Sequence, residues 1–157
     1  MINTLQSEYD HLLASLFLAK KDDQGVPTIE CSIGQRIFHK TFYDIGSGVN
    51  IMSKVTYEYL FGDEPLFPTY MKLSMADQSI RFPEGIAKDV MVRIHDHSAP
   101  TDFMVLDMGE EDGTPIILGR PFLNTTNAII YIRSGQVYFQ FPREKVHCYF
   151  NNYTTYE

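Results

Sequence analysis

Apolar side chains recur at helical spacing along the first twenty residues. Leu5, Tyr9, Leu12, Leu13, Leu16 and Phe17 fall three and four apart, so a helix over residues 2–20 carries one apolar stripe. Lys20 and Lys21 suit its C-terminal end, where the helix dipole favours cations. Lys21-Asp22-Asp23-Gln24-Gly25 breaks the pattern and reads as a linker. From Val26 onward the period shortens to that of strands. Thr28–Ile33 and Arg36–Tyr43 flank Gly34-Gln35, a hairpin turn. A short helix is predicted after Met52. Ser53 is its N-cap, Val55, Tyr59 and Leu60 its buried face, and Gly62 and Pro65 its end. Residues 71–76 and 79–82 flank Asp77-Gln78 as a second hairpin. Gly85–Ile94 and residues 101–106 are strands, separated by a polar loop from His95 to Pro100. An apolar strand follows at Ile116, Ile117 and Leu118, then a Gly turn and a helical turn. Residues 128–132 and Gln136–Phe141 form a hairpin about Ser134-Gly135, and 145–150 is a last strand. Many short strands with regular turns predict a mostly β, closed or sandwiched architecture with one or two short helices besides the N-terminal one.

The length of 157 residues suits one main domain. We divide the chain into an N-terminal helix and linker (1–25), the β domain (26–150) and a C-terminal tail (151–157). Hydrophobic residues at 44% and charged residues at 21% are enough to build a core without metals or disulfides. The net charge of −7 argues against a nucleic-acid partner, because phosphate binding needs a basic face. Cys31 and Cys148 both lie in strand-like stretches and read as two buried thiols rather than a bridge. No signal-peptide pattern or bilayer-length apolar run is visible, so the expectation is an intracellular, cytoplasmic chain with no membrane partner.

The candidate chemistry sits where the Arg36–Tyr43 strand runs into Asp44-Ile45-Gly46-Ser47-Gly48. Glycines beside a carboxylate permit close backbone approach, so such a loop can aim the acid into a cleft. Asp-x-Gly alone also occurs in ordinary turns. A second feature adds weight. Ile116-Ile117-Leu118-Gly119-Arg120 is an apolar strand followed by a glycine that lets another segment pass closely. His95 and His97 could share a metal, but they sit in a polar stretch without a third ligand. Residues 107–112 lack the spaced ligands of a Ca²⁺ loop, and Ser47 and Ser53 lack a His/Asp set for nucleophilic work. No metal or cofactor is expected.

Asp44-Ile45-Gly46-Ser47-Gly48-Val49-Asn50-Ile51-Met52 resembles the active-site segment of retropepsin-like aspartic proteases of plant gag–pol retrotransposons, where the stretch commonly reads Asp-Leu-Gly-Ala-Ser-Val-Asn-Leu-Met. Residues 71–80 with Pro83-Glu84-Gly85 look like that family's flap hairpin and the strand after it. Residues 103–108 and 115–123 are similar to its later signatures. The likeness covers roughly residues 26–150, with all parts in order.

The resemblance implies a closed retropepsin-like barrel and an aspartic endopeptidase processing a retroelement polyprotein. Asp44 would be the catalytic residue, within the loop Ile45, Gly46, Ser47 and Gly48. Ala76, Asp77, Gln78 and Ser79 would form the flap, and Ile116, Ile117, Leu118, Gly119 and Arg120 the support beneath the loop. Only one Asp-x-Gly loop fits that frame, so the implied partners are a second copy and a peptide or polyprotein substrate. Two such carboxylates about 3.5 Å apart, at an effective dielectric of about 20, repel by roughly 5 kcal/mol, or about 3 to 4 pKa units. They would hold one proton between them across mildly acidic pH, giving a base and an acid at one spot. Ile45 stands where many aspartic proteases carry Thr or Ser. Ser47 replaces Ala, small for small. Gly48 supplies neither the Asp nor the Ser that relatives place there, and leaves Arg120 to find another partner or face solvent. These departures motivate a second reading, a catalytically impaired dimerisation or peptide-binding domain of the same fold. A third is a degraded retroelement copy.

Overall fold

The computed structural model describes residues 28–74, 78, 80–109, 116–131, 133–134, 136–141, 144–149 and 155–156, the last two stretches by their backbone. The helix expected over 2–20 and its linker lie outside the described residues. Six strands close a barrel: β1 (Thr28–Ile33), β2 (Arg36–Tyr43), β3 (Ile51–Ser53), β6 (Gly85–Ile94), β7 (His97–Leu106) and β8 (Ile116–Leu118), in the order β1-β2-β8-β3-β7-β6. A small ribbon pairs β4 (Leu73–Ser74) with β5 (Ile80–Arg81). A four-stranded sheet orders β12 (Thr155–Tyr156), β11 (Glu144–Tyr149), β10 (Gln136–Phe141) and β9 (Ile129–Tyr131). The stretch read as a tail thus includes a strand that pairs with β11. Two helices, α1 (Lys54–Phe61) and α2 (Arg120–Thr125), complete the described elements.

The strand connections decide where the site lies. β2 runs parallel to β8, with Tyr43 opposite Leu118, whereas β3 runs antiparallel to it, with Ile51 opposite Ile117. β8 therefore sits between two strands that are consecutive in sequence. The 44–50 connection from β2 to β3 has to stride across the C-terminal end of β8.

Alternation along the strands sorts the barrel into two cores. Met52, Phe103, Val105, Ile116 and Leu118 join Val137, Phe139 and Phe141 of the C-terminal sheet in the larger one. Ile51, Met104, Leu106 and Ile117 face the other way and pack with Val49 and Leu73. Burying a side chain of this kind contributes about 1.5–3 kcal/mol relative to leaving it exposed. Phe122 of α2 meets Phe139 edge-on, centroids 6.1 Å apart, which ties the segment after β8 to the sheet.

Three expectations need correction. The stretch from His95 to Pro100 is not a polar loop. The chain turns tightly at His95 and Asp96, and β7 starts at His97. Its inward positions there hold the small Ala99 and Thr101, so the apolar alternation that marks a strand is missing. Second, the buried face of α1 is Thr56 and Tyr57, with Leu60 and Phe61 partly covered, whereas Val55 and Tyr59 are exposed. The rotation follows from Ser53, whose side chain accepts from the Thr56 N–H at 3.1 Å and fixes where the first turn begins. Third, among the described residues the second hairpin pairs Leu73–Ser74 with Ile80–Arg81, and Met71, Lys72 and Phe82 stand outside its strands.

Cys31 is a buried free thiol beside the Thr41 hydroxyl, 3.2 Å away. Burial pushes its pKa up from 9.0 to about 12. The raised value means that the thiol favours the fold while protonated. That contribution is lost as pH rises from about 9 toward 12. At neutral pH we expect a maleimide to leave Cys31 unmodified until denaturant is added, read by peptide-resolved mass spectrometry that separates it from Cys148. Modification in native buffer at the rate of a free thiol would show instead that β1 opens readily. No helix among the described residues is long and apolar enough to cross a membrane.

Candidate active site

Asp44 leaves the barrel at the end of β2 with its N–H donating to the Leu118 C=O at 2.9 Å. Its side chain turns back. Oδ1 accepts the Gly46 N–H at 2.8 Å, and the Ser47 N–H donates to the Asp44 C=O at 3.2 Å. The loop thereby builds a turn around its own carboxylate, a role Asp fills well because its short side chain mimics a backbone carbonyl. Asp44 is 6% exposed, whereas the next residue, Ile45, is 55% exposed. A buried acid and a bare aliphatic side chain thus sit next to each other at the rim of the loop.

The same local chemistry recurs at Asp107, whose Oδ1 accepts the Gly109 N–H at 3.1 Å. That copy is exposed beyond the end of β7. The Asp-x-Gly turn alone does not define the site; its seat over β8 does.

Ser47 is fully buried. Its hydroxyl donates to the Val49 C=O at 2.6 Å and accepts the Val49 N–H at 3.3 Å, so it is a structural brace rather than a nucleophile. The Arg120 N–H donates to the Ser47 C=O at 2.8 Å. Gly119 lies directly under this crossing. A Cβ there would stand 2.2 Å from the Val49 carbonyl oxygen and 2.9 Å from that of Ser47. Ile116, Ile117 and Leu118 are all buried below. Gly48 is half-buried, and so is Arg120, whose Nε is enclosed rather than facing solvent.

Of the expected flap residues, Ala76, Asp77 and Ser79 lie outside the described residues. Gln78 is exposed at a φ of 68°, the left-handed region a tight turn uses. Its hairpin is rooted by Leu73, 1% exposed in the second core, and by Arg81, which donates to the Asp107 C=O at 3.2 Å. The Glu84 N–H donates to the Val105 C=O at 2.8 Å, and its carboxylate meets Lys54 at 3.2 Å.

One residue of the quoted segment was given no role by the reading of the sequence. Asn50 is 2% exposed. Its Oδ1 accepts the Gly119 N–H at 2.7 Å, and its Nδ2 donates to the Asp102 C=O at 3.1 Å. The available signal was a lone amide inside the apolar run from Val49 to Met52, where a buried polar group has to find partners. His95 and His97 do not converge with other ligands. His97 stacks on Phe141 with centroids 4.9 Å apart, and among the described residues no three His, Cys, Asp or Glu side chains form a metal-sized group.

No protein-family model matches the chain, and no curated protein does. Among solved structures it is similar to the crystal structure of the retroviral protease-like domain of Ddi1 from Leishmania major. The TM-score is 0.54 at 19% identity, covering 73% of this chain and 86% of that one. The fold is retropepsin-like: mostly β, with a closed six-stranded barrel and two short helices among the described residues.

Proposed function

We propose that the chain is an aspartic endopeptidase whose active site forms between two copies, each contributing Asp44. The observation that carries this reading is the position of the Asp44 loop, folded around its own carboxylate and strapped across the end of β8 in a retropepsin-like barrel. Among the described residues one chain offers one such loop, and an acid–base pair needs two carboxylates. In the dyad one carboxylate takes a proton from water while the other, protonated, hydrogen-bonds the peptide carbonyl. The β4–β5 hairpin, rooted at Leu73 and Arg81, would close over an extended peptide and keep bulk water out. A retroelement polyprotein of the plant type as substrate rests on the sequence likeness of residues 26–150.

The test is proteolysis by the purified full chain. With a quenched-fluorescent peptide library at mildly acidic pH we expect cleavage whose rate rises faster than linearly with enzyme concentration. Binding of a tetrahedral-intermediate mimic should require Asp44. Absence of cleavage at every acidic pH, with the dimer present, overturns the enzymatic reading. The second reading, a dimerisation or peptide-binding domain, draws on Ile45, which has no hydroxyl with which to lock the two loops together. It predicts partner binding that survives Asp44→Ala.

A further inference from the structure

We infer that Asn50 is a positioning residue for Asp44, its carboxamide holding the acid-bearing loop at a fixed height over β8. The inference rests on the proteolytic reading above and adds to it the part that sets the acid in place. The two ends of the amide have no freedom of assignment. The Gly119 N–H can only donate and the Asp102 C=O can only accept, so Oδ1 must face the former and Nδ2 the latter. The Asn50 C=O also accepts the Met104 N–H at 2.8 Å. One residue therefore fastens three segments: the Asp44 loop, β7, and the turn between β8 and α2.

The contacts lead directly to the acid. Gly119 touches the loop backbone at Ser47 and Val49 with no side chain between them. Leu118, one residue earlier, accepts the Asp44 N–H, and Arg120, one residue later, donates to Ser47. A shift of Gly119 therefore moves Asp44. The carboxamide is a side-chain link between that turn and β7. Leu fills the same space and makes neither bond, whereas a protonated carboxyl can make both.

That difference gives a readout that general destabilisation does not. In Asn50→Leu, we expect kcat to fall about a hundredfold with KM nearly unchanged, because a displacement near 1 Å costs about that much. In Asn50→Asp, the new carboxyl, while protonated, donates to the Asp102 C=O and accepts from Gly119. Once ionised, it meets the Asp102 oxygen as a repelling pair. Charged residues on the elements packed against it are Asp44 on its own loop, Asp102 on β7, Asp89 on β6 and Arg120 on α2; of these, Asp89 and Asp102 are beside its side chain. Asp89 and Asp102 line a hollow of about 220 Å³ beside Asn50. Asp89 and Asp102 across that hollow, together with burial of the site, favour its neutral form at acidic pH. The variant should therefore match wild type in acid and lose activity as pH rises, with the alkaline limb of its kcat profile displaced to lower pH. Circular dichroism at each pH confirms folding.

A readout independent of catalysis accompanies this. Amide hydrogen exchange at Asp44 and Gly46 should accelerate at least tenfold in Asn50→Leu, while amides of the β1–β2 hairpin keep their protection. Full kcat in folded Asn50→Leu, or an unshifted limb in Asn50→Asp, overturns the inference. If the wild-type chain cleaves nothing, the proteolytic reading falls. The exchange at Asp44 then decides whether Asn50 holds the loop: acceleration upholds it, and unchanged protection overturns it.

Discussion

Asp44→Asn should lower peptide cleavage by at least about a thousandfold while leaving the fold intact. The two halves of that expectation have separate causes. An amide can neither take a proton from water nor share one with its mate, so both copies lose their acid–base function together. The local structure, in contrast, asks little of the charge. Asn has the same shape, and its Oδ1 can still accept the Gly46 N–H that now binds Asp44 at 2.8 Å. Initial rates at mildly acidic pH, with circular dichroism and sedimentation on the same sample, separate the outcomes. Cleavage within tenfold of wild type by the folded variant would remove Asp44 from the chemistry.

Gly119→Ala should be strongly destabilising. The added Cβ would stand 2.2 Å from the Val49 oxygen, 2.8 Å from its carbonyl carbon and 2.9 Å from the Ser47 oxygen. All three atoms are backbone, so no rotamer change relieves the clash, and the loop has to lift. We expect a loss of about 3 kcal/mol or more in denaturant unfolding, with little activity in whatever folds. Gly34→Ala is the matched control. Nothing lies within 4 Å of its Cβ, and its φ of +60° alone costs about 1 kcal/mol. Equal midpoints for the two variants would mean that the loop yields and that the tight crossing is not a structural requirement.

Much of this was legible from the residue pattern because the signals were local. Gly34-Gln35 between two alternating runs specified the first hairpin. Ser53 and Gly62 bracketed α1, the latter through its φ of 67° and an N–H that donates to the Glu58 C=O at 2.8 Å. Asp44 stood out because a carboxylate and two glycines follow directly on an apolar strand. The parallel pairing of β2 with β8 left no such mark, since residues far apart in the chain carry no shared turn signal. The start of β7 was hidden because Ala99 and Thr101, rather than large apolar residues, face inward. The role of Asn50 was hidden for a related reason. Its partners are the backbone atoms of Gly119 and Asp102, and main-chain partners have no side-chain signature.

The insertion of β8 between β2 and β3 also dictates when the site can first exist during synthesis. Until Leu118 and Gly119 have left the ribosome, the Asp44 segment has no strand beneath it. At about 5–20 residues per second that interval lasts several seconds. A nascent chain that already displays its acidic loop therefore lacks the strand that seats it, because β8, which the loop crosses, is the last barrel strand in sequence.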